Sequence, residues 1–211
     1  ASGTEADAFL VCTATGQRFF AKVYRRGIRP DSKVLERLSS AAAAHVIKFI
    51  EAGYSEEDDC HYELLEYAER GTLADLVREE GPCMTEITVR EVLRELNNAL
   101  RHVHQLGIEH KDLKPANVLV RAREPLDLVL TDFGIASAMD GTHRFTSTNR
   151  TVWYAPPEAM TGAIHRTRWD YWSLGIIVVE MLTGTHPFAD QGEQVATLRL
   201  ISRSCLLYTS D

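Results

Sequence analysis

The sequence has no apolar run long enough to cross a membrane. Its most apolar stretch, residues 174–179, stops at Glu180, far short of the ~20 residues a span requires. Cysteine is scarce: Cys12, Cys60, Cys83 and Cys205 are the only four, and no two of them form a CxxC pair. They read as reduced thiols, so neither a disulfide framework nor a cysteine metal site is expected. Positive charge is also short. Lys and Arg number 23 against 30 Asp and Glu, a net charge of −7, and nucleic acid is not an expected partner. The first residues have neither the basic start nor the apolar core of a secretory leader. The expectation is a soluble, cytoplasmic domain, with any membrane anchor lying outside this stretch. Its 211 residues can bury a core in one large domain or in two lobes.

The most informative stretch is Ile-Glu-His-Lys-Asp-Leu-Lys-Pro-Ala-Asn-Val-Leu-Val, residues 108–120. It sets Asp112, Lys114 and Asn117 between two apolar runs. Twenty residues after Asp112, Thr-Asp-Phe-Gly brings Asp132. Val118–Val120 and Leu128–Leu130 read as strands joined by a polar turn containing Pro125. That arrangement puts Asn117 at the start of one strand and Asp132 just past the end of the other.

Upstream, Phe9–Val11 and Arg18–Tyr24 read as strands around a turn at Thr15–Gln17. Asp31 is a helix N-cap after Pro30, with Val34, Leu35 and Leu38 as the apolar stripe. Two more strands are expected at Val46–Ile50 and His61–Leu65, separated by the acidic loop Ser55–Asp59. A short helix begins at Gly71-Thr-Leu-Ala-Asp. Thr88-Val-Arg-Glu91 matches a capping box. From it runs a helix marked by Val89, Val92, Leu93, Leu96, Leu100, Val103 and Leu106, ended by Gly107. His102 and His104 read as surface or packing residues. Downstream come Thr151-Val-Trp-Tyr-Ala-Pro-Pro-Glu158, Asp170-Tyr-Trp-Ser-Leu-Gly175 and Gly184-Thr-His-Pro-Phe188. The second of these starts a nearly all-apolar helix reaching Leu182, expected to be buried. Val195, Leu198 and Ile201 suggest one more helix.

These motifs together resemble the catalytic domain of eukaryotic-like serine/threonine protein kinases, across about residues 1–204. The resemblance implies an α+β, two-lobed fold: a small antiparallel sheet lobe with its hinge over residues 1–68, and a larger, mainly helical lobe over 69–204. It also implies ATP and Mg²⁺ (or Mn²⁺) as cofactors and a protein bearing Ser or Thr as the partner, with the oligomeric state left open. Asp112 would accept or orient the proton of the attacking hydroxyl, and Lys114 would neutralise charge on the transferred phosphate. Asn117 and Asp132 would bind the metal through oxygen.

The family's glycine loop corresponds to Ala1–Ala8, where Gly3 survives and Ala8 stands in the last position. Lys22, after Ala21, would hold the α- and β-phosphates and pair with Glu36 on the following helix. Leu65 would line the back of the adenine pocket, with the Glu66 carbonyl and the Ala68 N–H on the adenine edge, and Ala21 and Leu119 would also bind the nucleotide. Thr151 would contact Asp112 and Lys114, and Asp170 would hold the backbone of the catalytic loop. Thr146, Ser147 and Thr148 are candidate phosphorylation sites.

The sequence departs from the family in places. His110-Lys111-Asp112 replaces His-Arg-Asp, and lysine binds a phosphate only as a point charge, so control by loop phosphorylation is expected to be weak or absent. The depleted glycine loop and Lys111 supply the alternative reading, a catalytically impaired pseudokinase acting as a scaffold. Residues 205–211 resemble translated sequencing-adapter sequence, and the domain is expected to be truncated at both ends.

Overall fold

The computed structural model describes residues 6–40, 44–81, 84–133, 137–138, 153–156 and 168–188. Gly3, Thr146, Ser147, Thr148, Thr151, Glu158, the helix suggested by Val195–Ile201 and the 205–211 tail lie outside these residues.

Four strands form the first layer: β1 (Ala6–Cys12), β2 (Arg18–Tyr24), β3 (Phe49–Ser55) and β4 (Cys60–Glu66), all antiparallel, in the order β1-β2-β4-β3. β1 starts earlier than expected. Ala6 and Ala8 are already paired, opposite Tyr24 and Lys22, so Ala8 belongs to the strand and not to the loop before it. β3 is displaced towards the C-terminus from the expected 46–50. Residues 45–47 bond instead to the helical side: the Ile47 N–H donates to the Leu130 carbonyl at 2.9 Å and the Leu130 N–H to the His45 carbonyl at 3.0 Å. Backbone groups already spent there cannot pair with β4.

Helix α1 (Ser32–Ser40) is capped by Asp31, whose Oδ1 accepts from the Lys33 N–H at 2.9 Å. It buries Val34 and Leu38, one turn apart on a single face. Helix α2 (Leu73–Glu80) carries a full capping box, Thr72 with Asp75. Helix α3 (Glu86–Gln105) starts one turn before the expected capping box. Thr85 is the cap, accepting from the Thr88 N–H at 3.2 Å, so Thr88 is already helical. Val89, Val92, Leu96, Ala99, Leu100 and Val103 are buried on α3, whereas Leu93 is exposed. Each large aliphatic side chain in that stripe contributes about 1.5–3 kcal/mol by leaving water.

Past Gly107, at φ +69°, come β5 (Ile108–Glu109), a 3₁₀ turn at Pro115–Asn117 and the hairpin β6 (Val118–Arg123) with β7 (Leu126–Leu130). β8 (Ser137–Ala138) pairs with β5. Helix α4 (Arg168–Thr183) buries Trp169, Asp170, Leu174, Ile177 and Met181. It is not buried all round, because Tyr171, Trp172, Val179 and Leu182 remain exposed. One continuous core joins α1, α2, α3, the hairpin and α4, with Leu65 reaching into it from the sheet.

Candidate active site

The loop between β5 and β6 is built on a buried carboxylate. Asp170 of α4 is 1% exposed. Its Oδ2 accepts from the His110 N–H at 3.0 Å and from His104 Nε2 at 2.8 Å, and its Oδ1 accepts from the Lys111 N–H at 2.9 Å. Burial alone would raise its pKa. The hydrogen bond from His104 and the two backbone donors outweigh burial and hold the carboxyl below its ordinary range. These bonds also keep Lys111 at φ +67°, in the left-handed region, where a residue other than glycine costs about 1–3 kcal/mol. The expected role of Asp170 as backbone clamp is therefore what the geometry shows. The sequence suggests a surface or packing role for His104, and its part in the clamp has no signal there, because its partner lies 66 positions away.

His110 is fully buried. Its Nε2 is 3.0 Å from the Thr131 carbonyl, and its Nδ1 receives the Asp112 N–H at 3.3 Å. A carbonyl only accepts and an amide only donates, so Nε2 carries the hydrogen. The ring packs on Phe133, 4.9 Å between centroids. His110 thereby connects the Asp112 loop to the segment that carries Asp132.

Asp112 stands on this base. Its Oδ2 accepts from Lys114 Nζ at 2.6 Å and from Asn117 Nδ2 at 2.9 Å, and Asn117 also donates to the Asp112 carbonyl at 2.8 Å. The Asn117 amide thus points its nitrogen at Asp112 and leaves its oxygen for another partner. Asp132, at φ +61°, lies just beyond β7, and its Oδ1 accepts from Lys22 Nζ at 2.6 Å. Burial would raise its pKa, but the charge and hydrogen bond of Lys22, with the charge of Lys114, hold it low. An amide oxygen and a carboxylate kept ionised suit a hard divalent cation that takes its other ligands from phosphate and water. Among the described residues no cluster of three or more His, Cys, Asp or Glu side chains that could hold a metal ion occurs.

The ion pair expected between Lys22 and Glu36 is not formed. Glu36 is exposed on α1, because that helix turns Val34 and Leu38 into the core, and the Lys22 ammonium goes to Asp132 instead. Of the residues expected at the adenine, several are described. Leu65 is buried at 3% exposure, and Ala21 sits opposite Leu64. Glu66 bonds back to Lys48, its N–H to the Lys48 carbonyl at 2.9 Å and its Oε1 from the Lys48 N–H at 3.2 Å, and it forms an ion pair with Arg121. Ala68 follows in the chain, and Leu119 faces Thr72 across an isolated bridge. On the other side of the loop, Lys114 helps to line a cavity of about 160 Å³ with Ala74, Val77, Tyr154 and Glu180.

Known proteins carry the same pattern. Residues 3–209 match the protein kinase domain family. The serine/threonine-protein kinase PrkC of Bacillus subtilis is 32% identical over 176 residues, covering 82% of this chain and 26% of that protein. The serine/threonine-protein kinase PknB of Mycobacterium tuberculosis is 40% identical over 131 residues, 60% of this chain and 20% of that protein. A calcium/calmodulin-dependent protein kinase of Metarhizium anisopliae is 30% identical over 189 residues, 87% of this chain and 47% of that protein. The chain thus spans less than half the length of these relatives. With the family match running over nearly its whole length, the chain belongs to the protein kinase domain family.

Proposed function

We propose that this chain transfers the γ-phosphoryl group of ATP to serine or threonine hydroxyls of protein substrates. The observation that carries the reading is the Asp112 cluster: a carboxylate held by Lys114 and Asn117 on a loop clamped by buried Asp170. Asp112 accepts or orients the hydroxyl proton. Lys114 leaves its bond to Asp112 as negative charge gathers on the transferred group, and stabilises it there. Asn117 and Asp132 hold Mg²⁺ or Mn²⁺, which when bound neutralises phosphate charge. Lys22 grips the α- and β-phosphates. The adenine would be held by the Glu66 carbonyl and the Ala68 N–H, with Ala21, Leu65 and Leu119 as its apolar lining. Gly3 and Ala8 bracket the segment that covers the phosphates. Residues 1–68 form the small lobe with its hinge and 69–204 the larger lobe, and the nucleotide is held between residues of both. Among the described residues no helix is long and apolar enough to cross a membrane, and a cytoplasmic location is the reading that goes with a nucleotide-dependent domain.

Radiolabelled ATP transfer to a generic protein substrate tests this, with wild type and Asp112→Asn side by side. Phosphoserine or phosphothreonine should form with wild type and fall about 10³-fold in the variant, within the range for removal of a general base. Equal labelling in the two, or none from a wild-type chain that binds ATP, refutes phosphoryl transfer.

A further inference from the structure

Glu63 is an acid in an unusual place. It lies on β4 in the interior of the sheet, 5% exposed, and nothing in the proposed chemistry uses it. Strand register sets it directly opposite Lys22, and directly opposed residues of antiparallel strands project from the same face. Tyr24, two residues beyond Lys22 on β2, shares that face. The Tyr24 hydroxyl donates to Glu63 Oε1 at 2.7 Å. The Lys22 ammonium stands 5.1 Å from the centre of the Tyr24 ring, within range of a cation–π contact. Glu36, the acid expected to steady Lys22, points away from it into solvent.

We propose that Glu63 and Tyr24 form the seat of Lys22: Glu63 fixes the Tyr24 ring through its hydroxyl, and the ring fixes the Lys22 ammonium at the phosphate side of the cleft. Both are positioning residues that act through Lys22. The physical case has two parts. A desolvated carboxylate needs hydrogen bonds and a facing cation, and Lys22 supplies the facing charge while Tyr24 supplies the bond. A lysine side chain has four rotatable bonds and loses much freedom when held. Asp132 holds only its tip, at a half-exposed site, and that carboxylate is the one expected to serve the metal. Once Asp132 turns to that duty, the seat on β2 and β4 is what keeps Lys22 in line. The charge balance agrees: burial pushes the Glu63 carboxyl up, against the pull of the Tyr24 hydroxyl and the Lys22 charge.

The inference rests on the phosphate-gripping role proposed for Lys22, so the primary readout is nucleotide affinity and not turnover. The dissociation constant of a fluorescent ATP analogue with Mg²⁺ is measured for wild type, Glu63→Gln, Glu63→Leu, Tyr24→Leu, the Glu63→Leu/Tyr24→Leu double variant and Glu36→Gln, with a thermal melt of each. Glu63→Leu and Tyr24→Leu should each weaken binding about five-fold, the scale of a partly desolvated cation–π contact. Glu63→Gln keeps an acceptor for Tyr24 and should fall between Glu63→Leu and wild type. The double variant should lose no more than the worse single change, because the two residues act in series. Glu36→Gln should shift binding less than two-fold.

A purely structural Glu63 would change the melting temperature and leave affinity untouched, which overturns the proposal. So does a Glu36→Gln loss as large as that of Glu63→Leu, or additive losses in the double variant. Phosphoryl transfer is followed in the same samples. A wild-type chain that binds nucleotide and labels no substrate refutes the transfer reading, and the affinities still decide the role of Glu63.

Discussion

Asp112 lies on the loop before β6 and Lys22 on β2, and they are held in different ways. Asp112 stands on a backbone clamped from behind. Asp170 takes the N–H groups of His110 and Lys111, His104 steadies Asp170, and the His110 ring holds the Asp112 N–H. Every link in that chain is buried or part-buried. Lys22 stands on a regular strand, and among the described residues its ammonium is met by the side chains of Asp132 and Tyr24. The helix expected to help, α1, turns Glu36 to solvent. Asp112 is thus held through backbone groups of the fold, whereas the Lys22 ammonium is held through side-chain contacts. Under the proposed function, a rigidly placed Asp112 and a more adaptable Lys22 suit a site whose main work is positioning.

The largest effect should come from breaking the clamp. Asp170→Ala leaves two backbone donors and His104 without their acceptor in the core and should cost about 3–5 kcal/mol, the range for removing one partner of a buried charged network. Urea unfolding measures it. A loss below about 1 kcal/mol would mean that the loop holds itself, and the contrast with Lys22 would disappear. The acid side of the stability curve sharpens the same point. The folded-state pKa of Asp170 is depressed, so its contribution is fully present above the unfolded value of about 3.9 and is lost as pH falls through the folded value. Asp170→Asn, less stable at neutral pH, should lack that component of the acid loss.

The two regions also differed in how far the sequence disclosed them. Asp112, Lys114, Asn117, Asp132 and Asp170 could be picked out because their spacing is local, or because each sits in a short motif, and the loop brings the first three together as spacing implied. The clamp's other half, His104, could not. Helical periodicity places it on α3 but does not say which distant residue it meets. On the sheet side, the pairing of β2 with β4 skips β3, and only that register puts Glu63 opposite Lys22. A glutamate in a strand otherwise carries no mark of burial. Glu36 was misjudged for the opposite reason. Its distance from Lys22 fits an ion pair, but the rotation of α1 about its axis is decided by burying Val34 and Leu38, and that rotation carries Glu36 outward.

A middle-sized effect should appear at the joint between the regions. Arg37 of α1 donates through Nη1 to the Gly107 carbonyl at 2.8 Å and to the Leu106 carbonyl at 3.4 Å. These carbonyls close the C-terminal end of α3, where a cation is favoured. Arg37→Ala should cost about 1.5 kcal/mol, at the low end for a charged hydrogen bond. Hydrogen exchange should then quicken in α1 and leave residues 108–120 unchanged, because the clamp on Asp112 does not pass through Arg37. Equal quickening in both would show that the loop borrows its rigidity from α1, and the two regions would count as one.

The smallest effect concerns α3, the helix that carries the clamped loop. Two threonines compete as its cap. The sequence favours Thr88, through the capping-box spacing to Glu91, and the structure uses Thr85, whose side chain accepts the Thr88 N–H at 3.2 Å. An N-cap oxygen satisfies one of the four amide groups that a helix start leaves without a partner. Thr85→Ala should therefore lower stability by about 1 kcal/mol, the usual loss for a cap. Thr88 lies inside the first turn, and among the described residues its hydroxyl meets the Thr85 hydroxyl, at 2.9 Å. Thr88→Ala trades that contact for the better helix propensity of alanine, by about 0.5 kcal/mol or less in helix-forming preference, so its net effect should be close to zero. Chemical unfolding of the two variants against wild type separates the cases. A larger loss at Thr88 would move the start of α3 to Thr88, and residues 85–87 would then join the preceding connection as part of a longer and less constrained approach to the helix beneath Asp112.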